Sequence, residues 1–232
     1  MIRRVVLWDI DGTLVRGGDV SAAVFDAAVE TVLGQRPVGR PRMSGKTDPQ
    51  IVVEYLHALG IADPAELMPA VLDQLEANLA AAEAELAATG HACEGAAEVL
   101  EALAGDDRVL SSVLTGNIAP NAVVKVAAFG LDRWLDLDVG AYGSDDADRE
   151  RLVPVALGRI AEQHGVTVAP SDVWVVGDTP RDLACARAGG ARCLLVATGR
   201  YTAPELRQSG ADEVMEHLRD TDRILKVLTG DL

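Results

Sequence analysis

Three short apolar runs each break off into a polar turn, and together they constrain this chain more than any other feature. Val5-Val6-Leu7-Trp8 ends in Asp9-Ile10-Asp11-Gly12-Thr13. Val109-Leu110-Ser111-Ser112-Val113-Leu114 runs into Thr115-Gly116-Asn117. Val173-Trp174-Val175-Val176 runs into Gly177-Asp178-Thr179-Pro180-Arg181-Asp182. Continuous apolar runs of this length, bounded by turn residues, read as strands buried on both faces. Helical spacing of apolar residues lies between and after them, at residues 96–103, 121–129, 149–164 and 183–188. Further short strands are expected at 135–139 and 193–196. Strands alternating with helices predict an α/β fold, a doubly wound, Rossmann-like parallel sheet covered on both faces.

The stretch between the first two strands carries only helical patterns. Residues 21–33 have helical spacing, with Ser21 as an expected cap. A breaker-rich loop covers 34–41. Asp48 is expected to cap a second helix, with Pro49 at its first position. Residues 64–88 are rich in Ala, Leu and Glu and read as strongly helical. The economical reading is a helical insert at 16–90 in a core made of 1–15 and 91–232.

Hydrophobic residues make up 49% of the 232, enough for one large domain or a core plus an insert. The net charge of −15 argues against a surface built to neutralise nucleic-acid phosphates. No apolar run is long enough to span a bilayer, and the first one is broken at once by Asp9 and Asp11, unlike a signal peptide. Cys93, Cys185 and Cys193 lack metal-ligand spacing, and reduced thiols in the cytoplasm fit them best. Neither a nucleic-acid nor a membrane partner is therefore expected of this chain.

In an open parallel sheet the carboxyl ends of the strands line one crevice. Asp9, Asp11, Asp178 and Asp182 would meet there. Their mutual repulsion calls for a hard divalent cation, and Mg²⁺ suits a few carboxylates plus waters and a phosphate. A carboxylate can attack phosphorus, and a second carboxyl can protonate a leaving oxygen and then deprotonate water. Thr115 and nearby backbone amides can stabilise charge on a transferring phosphoryl group.

The strings DIDGT, LTGN and GDTPRD resemble three of the four motifs of the haloacid dehalogenase-like hydrolase superfamily, and the helical insert resembles its C1-type cap. The resemblance covers essentially the whole chain. It implies Asp9 as nucleophile and metal ligand, and Asp11 as acid/base with its backbone carbonyl on the metal. It also implies Thr115 as a phosphoryl holder, Asp178 as a metal ligand and Asp182 as a ligand or supporting carboxylate. Gly12, Thr13, Gly116 and Asn117 are expected to bind substrate. The fourth motif needs a Lys or Arg before a core helix; Arg149 is the expected residue and Arg151 the alternative.

Gly45-Lys46-Thr47 looks like the end of a P-loop, but Gly39 is one residue too distant and no strand precedes it. The string GKTD instead resembles the cap loop of phosphoglycolate phosphatase relatives. Lys46 or Arg42 would then pair with a second anionic group on a small phosphorylated metabolite, 2-phosphoglycolate first. The same motifs serve phosphomutases of the β-phosphoglucomutase type. A haloacid dehalogenase needs neither metal nor a carboxyl at position 11. A catalytically idle binding protein is the remaining alternative.

Overall fold

The computed structural model describes residues 1–230. Its main sheet has five strands, β1 (Arg4–Trp8), β4 (Val109–Val113), β5 (Val173–Gly177), β6 (Arg192–Val196) and β7 (Glu213–Met215). They are ordered β4-β1-β5-β6-β7, every pair parallel. β1 is fully buried along its length, as its unbroken apolar run requires. Val6 and Trp8 face one core layer with Val99, Ala122, Val126 and Ile224. Val5 and Leu7 face the other with Val153, Ile160, Leu183 and Leu206. The helices supplying these residues are α5 (Ala96–Ala104), α6 (Ala119–Ala127) and α10 (Thr221–Thr229) on the first face. On the second they are α7 (Leu152–His164), α8 (Pro180–Ala188) and α9 (Ala203–Arg207).

Strand order reverses at β1, which has β4 on one side and β5 on the other. The crevice beyond its carboxyl end is the switch point where α/β sheets bind ligands. The chain leaves β1 through β2 (Val15–Arg16) and returns through β3 (His91–Ala92), which pair antiparallel. Between them stand α1 (Val20–Leu33), α2 (Asp48–Ala58), α3 (Met68–Ala81) and α4 (Glu83–Thr89). These helices bury a core of their own, including Val24, Phe25, Val29, Ile51, Val52, Leu75 and Leu79.

Several local expectations are corrected. Residues 135–139 are not a strand: Leu137–Val139 form a 3₁₀ turn. Only a single bridge, Leu114 to Ala141, continues the sheet there, because Ser112 Oγ and Ser111 O bond the backbone of Asp136 instead. The helical stretch 64–88 is two helices, parted at Ala82. Ser21 lies inside α1, which begins at Val20. Asp48 is the first residue of α2, not its cap. Thr47 caps that helix by accepting a hydrogen bond from Gln50 N, and Gln50 completes a capping box. Asp48 is thereby freed to bond elsewhere.

Candidate active site

Asp9 follows β1 directly, and its backbone N–H still donates to Val176 O of β5 at 2.8 Å. That bond sets the carboxylate at the bottom of the crevice, 4% exposed. Asp178 follows β5 and Asp182 lies in the first turn of α8; one carboxylate oxygen from each of the three lies within 4.8 Å of the others. Gly12 has φ +88°, and a Cβ there would stand 2.8 Å from Asp178 Oδ2. Glycine is needed both for that backbone angle and for the close approach. Gly12 and Thr13 do not line the cavity as expected of substrate-binding residues. They build the turn that carries Asp11, and Thr13 is wholly buried beneath it.

Arg149 is the buried cation that pairs with Asp9. Its Nη2 donates to Asp9 Oδ1 at 2.8 Å and to Asp182 Oδ1 at 2.5 Å. Burial alone would favour the neutral guanidine, but the Asp182 and Asp9 carboxylates reverse that and raise its pKa. Arg151 is 71% exposed in its side chain and pairs with Asp146 and Asp148. The structure thus brings Arg149, and not Arg151, to Asp9. Asp182 Oδ2 accepts from Thr179 N and Thr179 Oγ1, so Asp182 both caps α8 and holds Arg149.

A Mg²⁺ ion fits this set on three grounds. Asp178 Oδ1 is buried and has no hydrogen-bond partner. Burial, then the neighbouring Asp9 and Asp182, push the Asp178 carboxyl up to about 8. Burial pushes Asp9 up to about 7 despite Arg149, with Asp182 adding to the rise. A cation held by Asp9 and Asp178, with waters completing its shell, would relieve all three. Both oxygens of Asp182 are already engaged, so it would stand beside such an ion rather than on it.

These shifts have a stability consequence. Without a divalent cation, the folded chain keeps protons on Asp9 and Asp178 that the unfolded chain has released above about pH 4. More protons bound in the folded state means stability that declines with rising pH, from about pH 5 to about pH 8. The melting temperature of metal-free protein should fall across that window, and Mg²⁺ should recover most of the loss at pH 8. A melting temperature that rises over the window and ignores Mg²⁺ would contradict the arrangement.

The crevice closes into a cavity of about 140 Å³. Core residues Asp9, Asp11, Thr115, Gly116, Asn117, Lys125 and Arg149 form its floor, and Ser21, Phe25, Met43, Ser44, Lys46 and Ile51 its roof. Thr115 Oγ1 accepts from Asn117 Nδ2 at 2.7 Å, which leaves its own hydroxyl hydrogen to donate. Gly116 admits the roof: a Cβ there would lie 2.0 Å from Lys46 O. The two loops are joined by Asp48 N donating to Gly116 O at 2.7 Å and Ile118 N donating to Asp48 Oδ2 at 2.8 Å. Thr47 Oγ1 adds a bond to Ala147 O at 2.8 Å. Burial raises Asp48 to about 7, opposed by Lys125 and by the Ile118 bond.

Two expected cations behave differently from the expectation. Arg42 is exposed and does not line the cavity. Lys46 does line it, but its Nζ is held by both oxygens of Glu54 at 2.5 and 2.6 Å. Two further residues escaped the sequence reading, Lys125 and Asp48 as a cavity residue. Lys125 donates to Asp11 Oδ1 and Oδ2 at 2.8 and 2.7 Å and to Asn117 Oδ1 at 2.7 Å. The signal for it was a lone lysine inside Val123-Val124-Lys125-Val126-Ala127, where a surface helix would carry more charge.

A family model described as HAD-hydrolase-like matches residues 151–221, the segment holding α7, β5, α8 and β6. A hydrolase from Pseudomonas syringae superposes with a TM-score of 0.73 at 19% identity, covering 97% of this chain and 99% of its own. A predicted phosphoglycolate phosphatase from Haemophilus somnus 129PT gives 0.68 at 18% identity, covering 96% and 97%. A HAD hydrolase of family IA, variant 3, from Entamoeba histolytica gives 0.71 at 20% identity, covering 95% of each chain. No curated protein matches the sequence. With a five-stranded parallel sheet and a helical insert after its first strand, the chain has the fold of these hydrolases, and the HAD-hydrolase-like match lies over the segment that carries Asp178 and Asp182.

Proposed function

We propose that the chain is a Mg²⁺-dependent phosphomonoester hydrolase working through a phosphorylated Asp9, with residues 16–90 closing as a cap over the core. The observation that supports this most is the setting of Asp9. It is a buried carboxylate at a cavity floor, between the guanidinium of Arg149 and the unpartnered oxygen of Asp178. The ion, when held by Asp9 and Asp178, supplies positive charge that screens the phosphoryl oxygens from the carboxylates.

The chain's own residues account for the remaining work. Asp9 attacks phosphorus in line and the ester oxygen leaves. Asp11, at the cavity edge, gives that oxygen its proton, then takes a proton from the water that cleaves the aspartyl-phosphate. Thr115 donates its hydroxyl hydrogen to a phosphoryl oxygen, and Arg149 keeps Asp9 aligned. The docked Gly45–Asp48 loop excludes bulk water while this happens.

The cavity favours a small leaving group. Its volume is close to the roughly 150 Å³ that suffices for benzene. Each lining cation already faces a carboxylate: Arg149 with Asp9 and Asp182, Lys125 with Asp11, Lys46 with Glu54. A second phosphoryl group on a sugar finds no unpaired cation there, which favours hydrolase over mutase. A single carboxylate, as on 2-phosphoglycolate, could draw Lys46 from Glu54, a pair whose acid is 43% exposed. Glu54→Gln should then lower KM for 2-phosphoglycolate by up to about fivefold, and Lys46→Ala should raise it. KM for a neutral aryl phosphate should move much less; equal shifts on both would show that this loop does not read the leaving group.

The test of the whole reading is inorganic phosphate release from a panel containing 2-phosphoglycolate, sugar phosphates and an aryl phosphate, with Mg²⁺ and in chelator. Release that depends on Mg²⁺ is expected. Undiminished release in chelator would refute the metal's part, and no release from any ester would favour the idle binding protein. Isomerised sugar phosphate in place of free phosphate would identify a mutase.

A further inference from the structure

Lys125 is a lysine with 6% of its side chain exposed, placed in the last turn of α6. Lysine is rarely buried so deeply unless every donor is used. Here all three are: one to each oxygen of Asp11 and one to Asn117 Oδ1. Asn117 turns its amide nitrogen to Asp11 Oδ2 at 2.7 Å and to Thr115 Oγ1. The side chain of Asp11 itself is 42% exposed.

The bond count singles out one atom. A carboxylate has about four acceptor positions. Asp11 Oδ2 receives Lys125 and Asn117, and Oδ1 receives Lys125 alone. The unfilled position is therefore on Oδ1. A free aspartate would spread its reactive lone pair over two oxygens and several rotamers. This one is gripped from behind by a residue two turns of helix beyond the Thr115–Asn117 loop.

We propose that Lys125, with Asn117, is a positioning residue for Asp11: it fixes the side chain so that Oδ1 is the oxygen that exchanges a proton with the leaving group. The inference rests on the hydrolase reading above and assigns a residue to it that the superfamily motifs in this chain do not include. A simple structural role, neutralising Asp11 and Asp48, would explain the burial equally well, and so would direct binding of the phosphoryl group by the ammonium. The three roles separate by leaving group. An alkyl phosphate needs a proton on its departing oxygen, whereas a nitrophenyl phosphate does not.

The experiment compares kcat/KM of wild type and Lys125→Met on a small alkyl phosphate and on 4-nitrophenyl phosphate. Since kcat/KM ends at formation of the aspartyl-phosphate, only the acid step is read. Loss of positioning should cost about 100-fold on the alkyl ester, and at least tenfold less on the aryl ester. In an Asp11→Asn background, Lys125→Met should add little, because a residue acting through another loses its effect when that other is gone. Equal losses on both esters, or full additivity with Asp11→Asn, would overturn the inference. Should Lys125→Met not fold, Lys125→Gln, which keeps a donor for Asn117, is read by the same ratio. Wild type releasing phosphate from neither ester overturns the hydrolase reading and this inference together, while equal losses in an active enzyme overturn this inference alone.

Discussion

Asp9→Asn should lower turnover by roughly 10⁴-fold or more while the chain stays folded. The amide has nearly the shape of the carboxylate but no anionic lone pair to attack phosphorus. The fold should tolerate it because the charge is costly where it stands. Burial is the largest influence on Asp9 and raises it to about 7 even against Arg149. Asparagine removes that charge and keeps an oxygen for the Arg149 Nη2 bond. Metal-free Asp9→Asn should therefore melt at or above wild type at pH 8, where Asp9 and Asp178 are driven to ionise side by side. Phosphate release and calorimetry on the purified variant decide it; retention of more than about 1% of turnover would remove Asp9 from the role of nucleophile.

The parts of this molecule that were legible in the sequence are those where a period and a chemical residue coincide. Val5 to Trp8 is apolar without interruption, so a two-faced strand follows from it and Asp9 falls at its end. The same logic carried Thr115 and Asp178 to one edge. What the sequence concealed depends on contacts across the chain. Asp48 stands next to Pro49 and looks like a helix cap, yet Thr47 fills that place and Asp48 bonds Ile118, 70 residues away. Lys125 stands alone in an apolar helical run, but its partner, Asp11, lies 114 residues away. Residues 135–139 have strand-like apolar spacing, but edge pairing there goes to serine hydroxyl and backbone at Asp136, and the segment curls. Local pattern cannot report such long-range partners.

Several of the hydrogen bonds that join the insert to the core converge on one loop. Lys46, Thr47 and Asp48 meet Gly116, Ile118 and Ala147 through backbone and short side chains. Apolar packing adds to these bonds, with Val124, Ala128 and Phe129 of the core set against the apolar cluster of the insert. Asp9, Thr115 and Asp178 sit at strand ends of the sheet. Phe25, Met43, Lys46 and Ile51, which roof the cavity, sit on the insert.

Arg149→Met should be the most damaging single change to stability in the site. The guanidinium lies between two buried carboxylates, and its removal leaves Asp9 and Asp182 facing each other with Asp178 close by. Breaking one partner out of a buried ion pair costs about 3–5 kcal/mol. Part of that cost can be avoided by protonating the carboxylates, so the loss should grow from pH 6 to pH 8. Mg²⁺ should offset some of it by placing a second cation beside Asp9. Turnover should fall as well, by about 10²–10³-fold, the usual effect of losing one fixed donor near a transferring group. Arg151→Met is the matched control: that side chain is 71% exposed and its partners stay solvated, so a change within about 0.5 kcal/mol is expected. Urea unfolding of both variants at the two pH values, with and without Mg²⁺, checks the account. Equal stability of the two variants at pH 8 would mean that Arg149 does not compensate the buried charge.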